Sequence, residues 1–164
     1  MSNLKKAIKI VNDRLPKSYL IPIKTYKTIY SLLRNYCRMF DRDYNTTVKS
    51  YSEYLTNPKT NTYIKTKYWR NQKKFLTLQR KHRIKGFDIA AISSDPVLIA
   101  ENQVKGRTVT ELVYLIIHEF GHHWLDRHGY DDLNERWCDE FSIRWTRKLI
   151  KEGLIQPQTG ENNV

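Results

Sequence analysis

His118-Glu119-Phe120-Gly121-His122 is an H-E-x-x-H run. On an α-helix, residues four apart share a face, so His118 and His122 can aim two imidazole nitrogens at one point. Glu119 then stands at the edge of that face, able to reach a water at that point without binding a metal itself. Two His holding Zn²⁺ and a Glu acting as general base is a hydrolytic arrangement. Three fixed letters in five occur often by chance, so the surroundings decide what the run is worth.

Those surroundings are apolar. Val113, Leu115, Ile116, Ile117, Phe120 and Trp124 predict a largely buried helix. Burying two His and a Glu there without a partner is costly, and a metal removes that cost. Thr108 and Glu111 fit a capping box at the start, and Gly129 fits the position just past the end, predicting a helix over 109–128.

A third protein ligand is needed, leaving the fourth position to water. Glu135 and Asp139 follow, spaced i and i+4 on a second helix that Asp132 can cap and Gly153 can end. Glu135 would bind the metal. Asp139 would accept a hydrogen bond from the second nitrogen of a ligating His and fix its tautomer. His128 is the alternative ligand, and with Tyr130 a candidate oxyanion donor.

At His118-Glu119-Phe120-Gly121-His122 and Glu135 to Phe141 the chain resembles the gluzincin metallopeptidases, which pair H-E-x-x-H with N-E-x-x-x-D on the next helix. It is most similar to their small ImmA/IrrE-like relatives of phages and mobile elements. The resemblance covers about residues 85–152, with a shorter gap between motifs than in larger members. It implies a zinc metalloprotease acting on a protein or peptide, with an edge strand pairing with the substrate. In the relatives the substrates include repressors.

Two other families share part of the pattern. The spacing of His118, His122 and His128 resembles the metzincins, but Leu125 stands where they have a bending Gly, and no Met lies downstream for their Met-turn. The same spacing resembles the YbeY-type metal-dependent endoribonucleases, although Gly129-Tyr130-Asp131 follows the last His instead of preceding it. Peptide deformylases carry a Cys ligand in a context that Cys37 lacks. A third function class is a non-catalytic protein in which zinc staples two helices and the surface binds nucleic acid or another partner.

Stepping from the site to the chain, 164 residues suffice for one domain with a real core. The expected fold class is α+β: a helical basic part over 1–60, a zincin-like catalytic core over 61–152 with a small antiparallel-rich sheet, and a flexible tail over 153–164. Helical patterns fall at 3–13, 24–40 and 46–56. Strand candidates fall at 62–69, 74–80, 87–92 and 97–100. Two cysteines outside any C-x-x-C are not a disulfide framework, and no apolar run approaches a membrane span, so a cytoplasmic protein without a membrane partner is expected.

Charge is uneven. Residues 1–86 hold 21 Lys and Arg against 4 Asp and Glu, while residues 87–164 hold 8 against 13. Nine of eleven Tyr also lie in the basic half. Lys65, Lys67, Tyr68, Trp69, Arg70, Lys73 and Lys74 form its densest stretch. Cations interleaved with aromatics suit phosphate contacts and base stacking, so nucleic acid or an acidic protein is an expected partner.

Overall fold

The computed structural model describes residues 1–49, 91–92 and 95–157. The elements run α1 (Asn3–Arg14), a 3₁₀ turn (Lys17–Tyr19), β1 (Ile23–Tyr26), α2 (Ile29–Met39), β2 (Ala91–Ile92), β3 (Val97–Ala100), a short α3 (Glu101–Val104), α4 (Val109–Arg127) and α5 (Glu135–Lys151). The chain divides into two compact units. One holds α1, the 3₁₀ turn, β2, α4 and α5; the other holds α2, α3 and most of β1 and β3.

In the first unit α4 is the central helix. Its capping box is formed: Thr108 Oγ1 accepts from the Glu111 amide at 3.1 Å, and Glu111 Oε2 accepts from the Thr108 amide at 3.0 Å. Every residue from Thr110 to His122 is buried. Leu112, Ile116, Ile117 and Phe120 contribute on the order of 1.5–3 kcal/mol each by leaving water. α1 packs on one side with Leu4, Ala7 and Val11, and Asn3 Nδ2 donates to the Arg107 carbonyl at 3.1 Å, fixing the entry to α4. α5 packs on another side through Cys138, Asp139, Phe141, Ser142, Thr146 and Leu149.

The two long helices approach closely at Gly121. A Cβ there would lie 3.3 Å from Cys138 Sγ and Phe141 Cδ1 and 3.4 Å from Cys138 Cα. Ser142 Oγ donates to the Tyr114 carbonyl at 2.6 Å, pinning the register of the pair. α4 ends as expected, with His128 as C-cap and Gly129 at φ 74°, the left-handed region that favours glycine.

In the second unit Thr28 and Ser31 form the capping box of α2, which buries Ile29, Leu32, Leu33 and Cys37. Asn102 closes the start of that helix, its Oδ1 accepting from the Ile29 amide at 3.2 Å and its own amide donating to the Lys27 carbonyl at 3.2 Å. All four residues of β3 are buried.

The sheet has the order β1-β3-β2. The α+β expectation holds, but the antiparallel-rich sheet is corrected. Val97 donates to Pro22, and Asn102 to Lys27, so both chains advance together and β1 and β3 run parallel. The strands are separated by the whole of α2 and the segment after it, which supplies the long crossover a parallel pair needs. A second correction concerns 24–40, where the chain is first strand and then helix. The Thr28 cap starts the helix at Ile29, five residues late, and Ile23–Tyr26 pairs as β1 instead.

Residues 44–49 are helical, with Asp43 Oδ2 accepting from the Thr46 amide at 2.8 Å. The strand candidates at 62–69 and 74–80 lie outside the described residues, as do 50–56 and 87–90 of the expected elements. So do Lys65, Lys67, Tyr68, Trp69, Arg70, Lys73 and Lys74. Of the tail expected to be flexible, the structure describes residues 153–157; there Ile155 is buried, and Thr110 Oγ1 donates to the Gln156 carbonyl at 2.5 Å. Among the described residues no helix is long and apolar enough to cross a membrane.

Candidate metal centre

α4 and α5 bring three donor groups to one point. His118 Nε2 and His122 Nε2 are 3.1 Å apart. The Glu135 carboxylate, on the first residue of α5, meets both, with Oε2 at 2.9 Å from His118 Nε2 and Oε1 at 3.2 Å from His122 Nε2. Asn134 makes this possible by capping α5, its Oδ1 accepting from the Trp137 amide at 3.0 Å. Asp132, expected as that cap, lies two residues too early. Its carbonyl instead accepts from His122 Nδ1.

Behind His118, Nδ1 lies 2.9 Å from Asp139 Oδ1, one turn along α5 from Glu135. The Tyr114 hydroxyl donates to the same oxygen at 2.6 Å. Asp139 thus takes the orienting position expected of it, and Tyr114 extends the chain by one member. Tyr114 was legible in principle, because it precedes His118 by four residues on the same helix stripe.

The donor chemistry fits a cation. A carbonyl can only accept, so His122 Nδ1 carries its proton, and in the neutral ring Nε2 is a lone pair. The Asp139 carboxylate sets the same tautomer on His118. Two imidazole lone pairs and two carboxylate oxygens then converge with no donor among them. Bonds of ~2.0–2.1 Å at tetrahedral angles put neighbouring ligand atoms ~3.3 Å apart, close to the spacing found here. Among the described residues, His118, His122 and Glu135 are the group able to hold a metal ion.

Electrostatics say the same in another form. Burial opposes charge on His118, but Asp139 and Glu135 outweigh it and hold the imidazole up at about 10. Burial likewise opposes charge on His122, which its hydrogen-bond partners, the Glu135 carboxylate among them, and the nearby Glu119 push up to about 12. Glu135 resists burial through the two imidazoles, which lower it to about 2. The 3.1 Å gap between the Nε2 atoms leaves room for one proton between the two rings. Carboxylates with this pull on positive charge are suited to a divalent ion.

Glu119 is 9% exposed. Burial raises its pKa, Glu135 adds to the rise, and His118, His122 and His123 act against it. A buried carboxylate made more basic is what proton abstraction at neutral pH requires.

His128 falls elsewhere. α4 runs unbroken through Leu125, and six residues on from His122 is ~240° around the helix. His128 is exposed, its Nδ1 2.8 Å from the Trp124 carbonyl and its ring stacked on Trp124 at 4.0 Å. Tyr130 is exposed and stacks on Trp124 at 6.0 Å.

No family model matches the chain, and no curated protein or solved structure is similar to it.

Proposed function

We propose that the protein is a zinc-dependent endopeptidase of gluzincin-like design, with His118, His122 and Glu135 as metal ligands and Glu119 as general base. The observation that carries this reading is the convergence of both Nε2 atoms and the Glu135 carboxylate beside the buried Glu119. Zn²⁺ held there would polarise the scissile carbonyl and make an attacking water more acidic. Glu119 takes the proton of that water and passes it to the leaving amine. Asp139 and Tyr114 keep the His118 ring oriented, and the Asp132 carbonyl does so for His122. The substrate is a protein or peptide, in keeping with the resemblance to peptidases that act on nucleic-acid-associated proteins. Two buried free thiols, Cys37 and Cys138, suit a reducing cytoplasmic setting.

The test is zinc content and cleavage of an unstructured protein such as casein by wild type and Glu119→Gln. Wild type should hold about one zinc per chain and cleave. Glu119→Gln should hold as much zinc and lose cleavage by at least a hundredfold. Cleavage at the wild-type rate would remove the base assignment. Zinc that binds without cleavage in wild type would favour a metal that only staples the helices.

A further inference from the structure

A second feature of the α4–α5 pair lies away from the ligands. Trp137 is two residues from Glu135, and Trp124 two residues from His122, each ~200° around its helix. There the two helices and the 3₁₀ turn enclose a groove of about 480 Å³ lined by Trp124, Trp137, Trp145, Tyr19 and Phe141. The remaining lining residues are Arg144 and Lys148, both exposed, and among the described residues none lining it is acidic.

The rings are ordered. Trp124 stacks on Trp137 at 5.1 Å and 15°, and Trp137 on Phe141 at 5.1 Å and 11°. Tyr19 meets Phe141 edge-on at 5.3 Å and Trp145 edge-on at 6.1 Å. Lys148 Nζ sits 4.8 Å over the Trp145 ring. Along α5, Trp137, Phe141, Trp145 and Lys148 fall at i, i+4, i+8 and i+11, a stripe of ~16 Å. That length spans roughly four to five nucleotides at ~3.4 Å per phosphate of a stacked strand.

Three half-buried tryptophans on one surface are costly to leave in water, and such patches mark binding sites. Flat rings offer stacking platforms that every base satisfies, while Arg144 and Lys148 supply the cations that a phosphate backbone needs. An acidic peptide such as polyglutamate would find the same two cations but brings no aromatic ring to stack on the ladder. The net charge of +12 on the whole chain would draw a polyanion in. We infer that this aromatic groove binds single-stranded nucleic acid, bases on the half-buried Trp137 and Trp145 and phosphates on Arg144 and Lys148. The inference does not rest on the metal centre.

The experiment is an anisotropy titration of the full chain with a fluorescein-labelled oligothymidine of ~20 nucleotides at fixed salt, with intrinsic tryptophan fluorescence followed alongside. Binding should quench the tryptophans. Arg144→Glu with Lys148→Glu, both at exposed positions, should weaken binding by at least tenfold while the far-ultraviolet circular dichroism stays that of wild type. Trp145→Ala should weaken it by about tenfold. Duplex DNA of equal length and polyglutamate should displace the strand poorly. No binding, wild-type affinity in the charge-reversed protein, or binding without quenching would overturn the assignment. Equal displacement by polyglutamate would overturn it in favour of an acidic protein.

Discussion

The two flanks of the α4–α5 pair are made from the same helices and the same four-residue repeat, yet they are opposite in kind. On one, His118, His122, Glu135 and Asp139 are short polar groups held by second contacts on nearly every free atom. On the other, Trp124, Trp137 and Phe141 hold one another by ring stacking and Tyr19 meets Trp145 edge-on, with cations at the rim. The first is built for fixed geometry and the second for broad, tolerant contact. Rigidity is thus placed where an ion would demand it and not throughout the unit.

The sharpest way to break the comparison is to remove one flank and ask whether the other survives. Glu135→Ala should lose stoichiometric zinc and all cleavage while oligothymidine binding stays within about twofold of wild type. Coordinated loss of both would mean the flanks are one site. Next in size, Asp139→Asn should lower zinc affinity by roughly 10–100-fold, as loss of an orienting partner does. Tyr114→Phe deletes one buried hydrogen bond worth ~1 kcal/mol and should cost at most about tenfold, read by competition with a zinc chelator. A Tyr114→Phe effect larger than that of Asp139→Asn would reverse the order of the chain.

Gly121→Val strikes both flanks, because it forces the helices apart where Cys138 and Phe141 press against α4. It should cost ~1–3 kcal/mol, seen as a lower melting temperature, with zinc and strand binding weakened together. The smallest effect concerns pH. In chelator-treated protein the imidazole pair has its pKa raised, so its contribution is fully present below pH ~6.5 and is lost as the pH rises toward 10. Glu135 is depressed, so its share is present above ~4.5 and lost as the pH falls toward 2. Melting of the metal-free protein should therefore decline from pH 7 to 10, and zinc should flatten that decline. A metal-free protein equally stable at pH 7 and 10 would show that the imidazoles hold no extra proton.

Much of the site was legible because it is helical and local. Thr108 with Glu111 and Gly129 mark the ends of α4 by chemistry that acts over three or four residues, and His118 with His122 follow from spacing; spacing left Glu135 and His128 both open, and the resemblance to gluzincins favoured Glu135 with Asp139. What was not legible depends on distant partners. Ile23–Tyr26 has no strand identity until β3 arrives some seventy residues later, and a parallel pairing leaves no turn signal behind. Asp132 and Asn134 are equally good caps by residue type, and only the path of the loop chooses between them. The aromatic groove was not legible for a related reason: Trp124, Trp137 and Trp145 lie on two helices, and Tyr19 joins them from a different element.

His122 is steadied by the main-chain carbonyl of Asp132 and not by a side chain. No point substitution can delete a carbonyl, so that ring is insulated from most mutations in its neighbourhood. The number of residues between α4 and α5 becomes the tuning parameter. Insertion or deletion there would move the Asp132 carbonyl and so retune the imidazole.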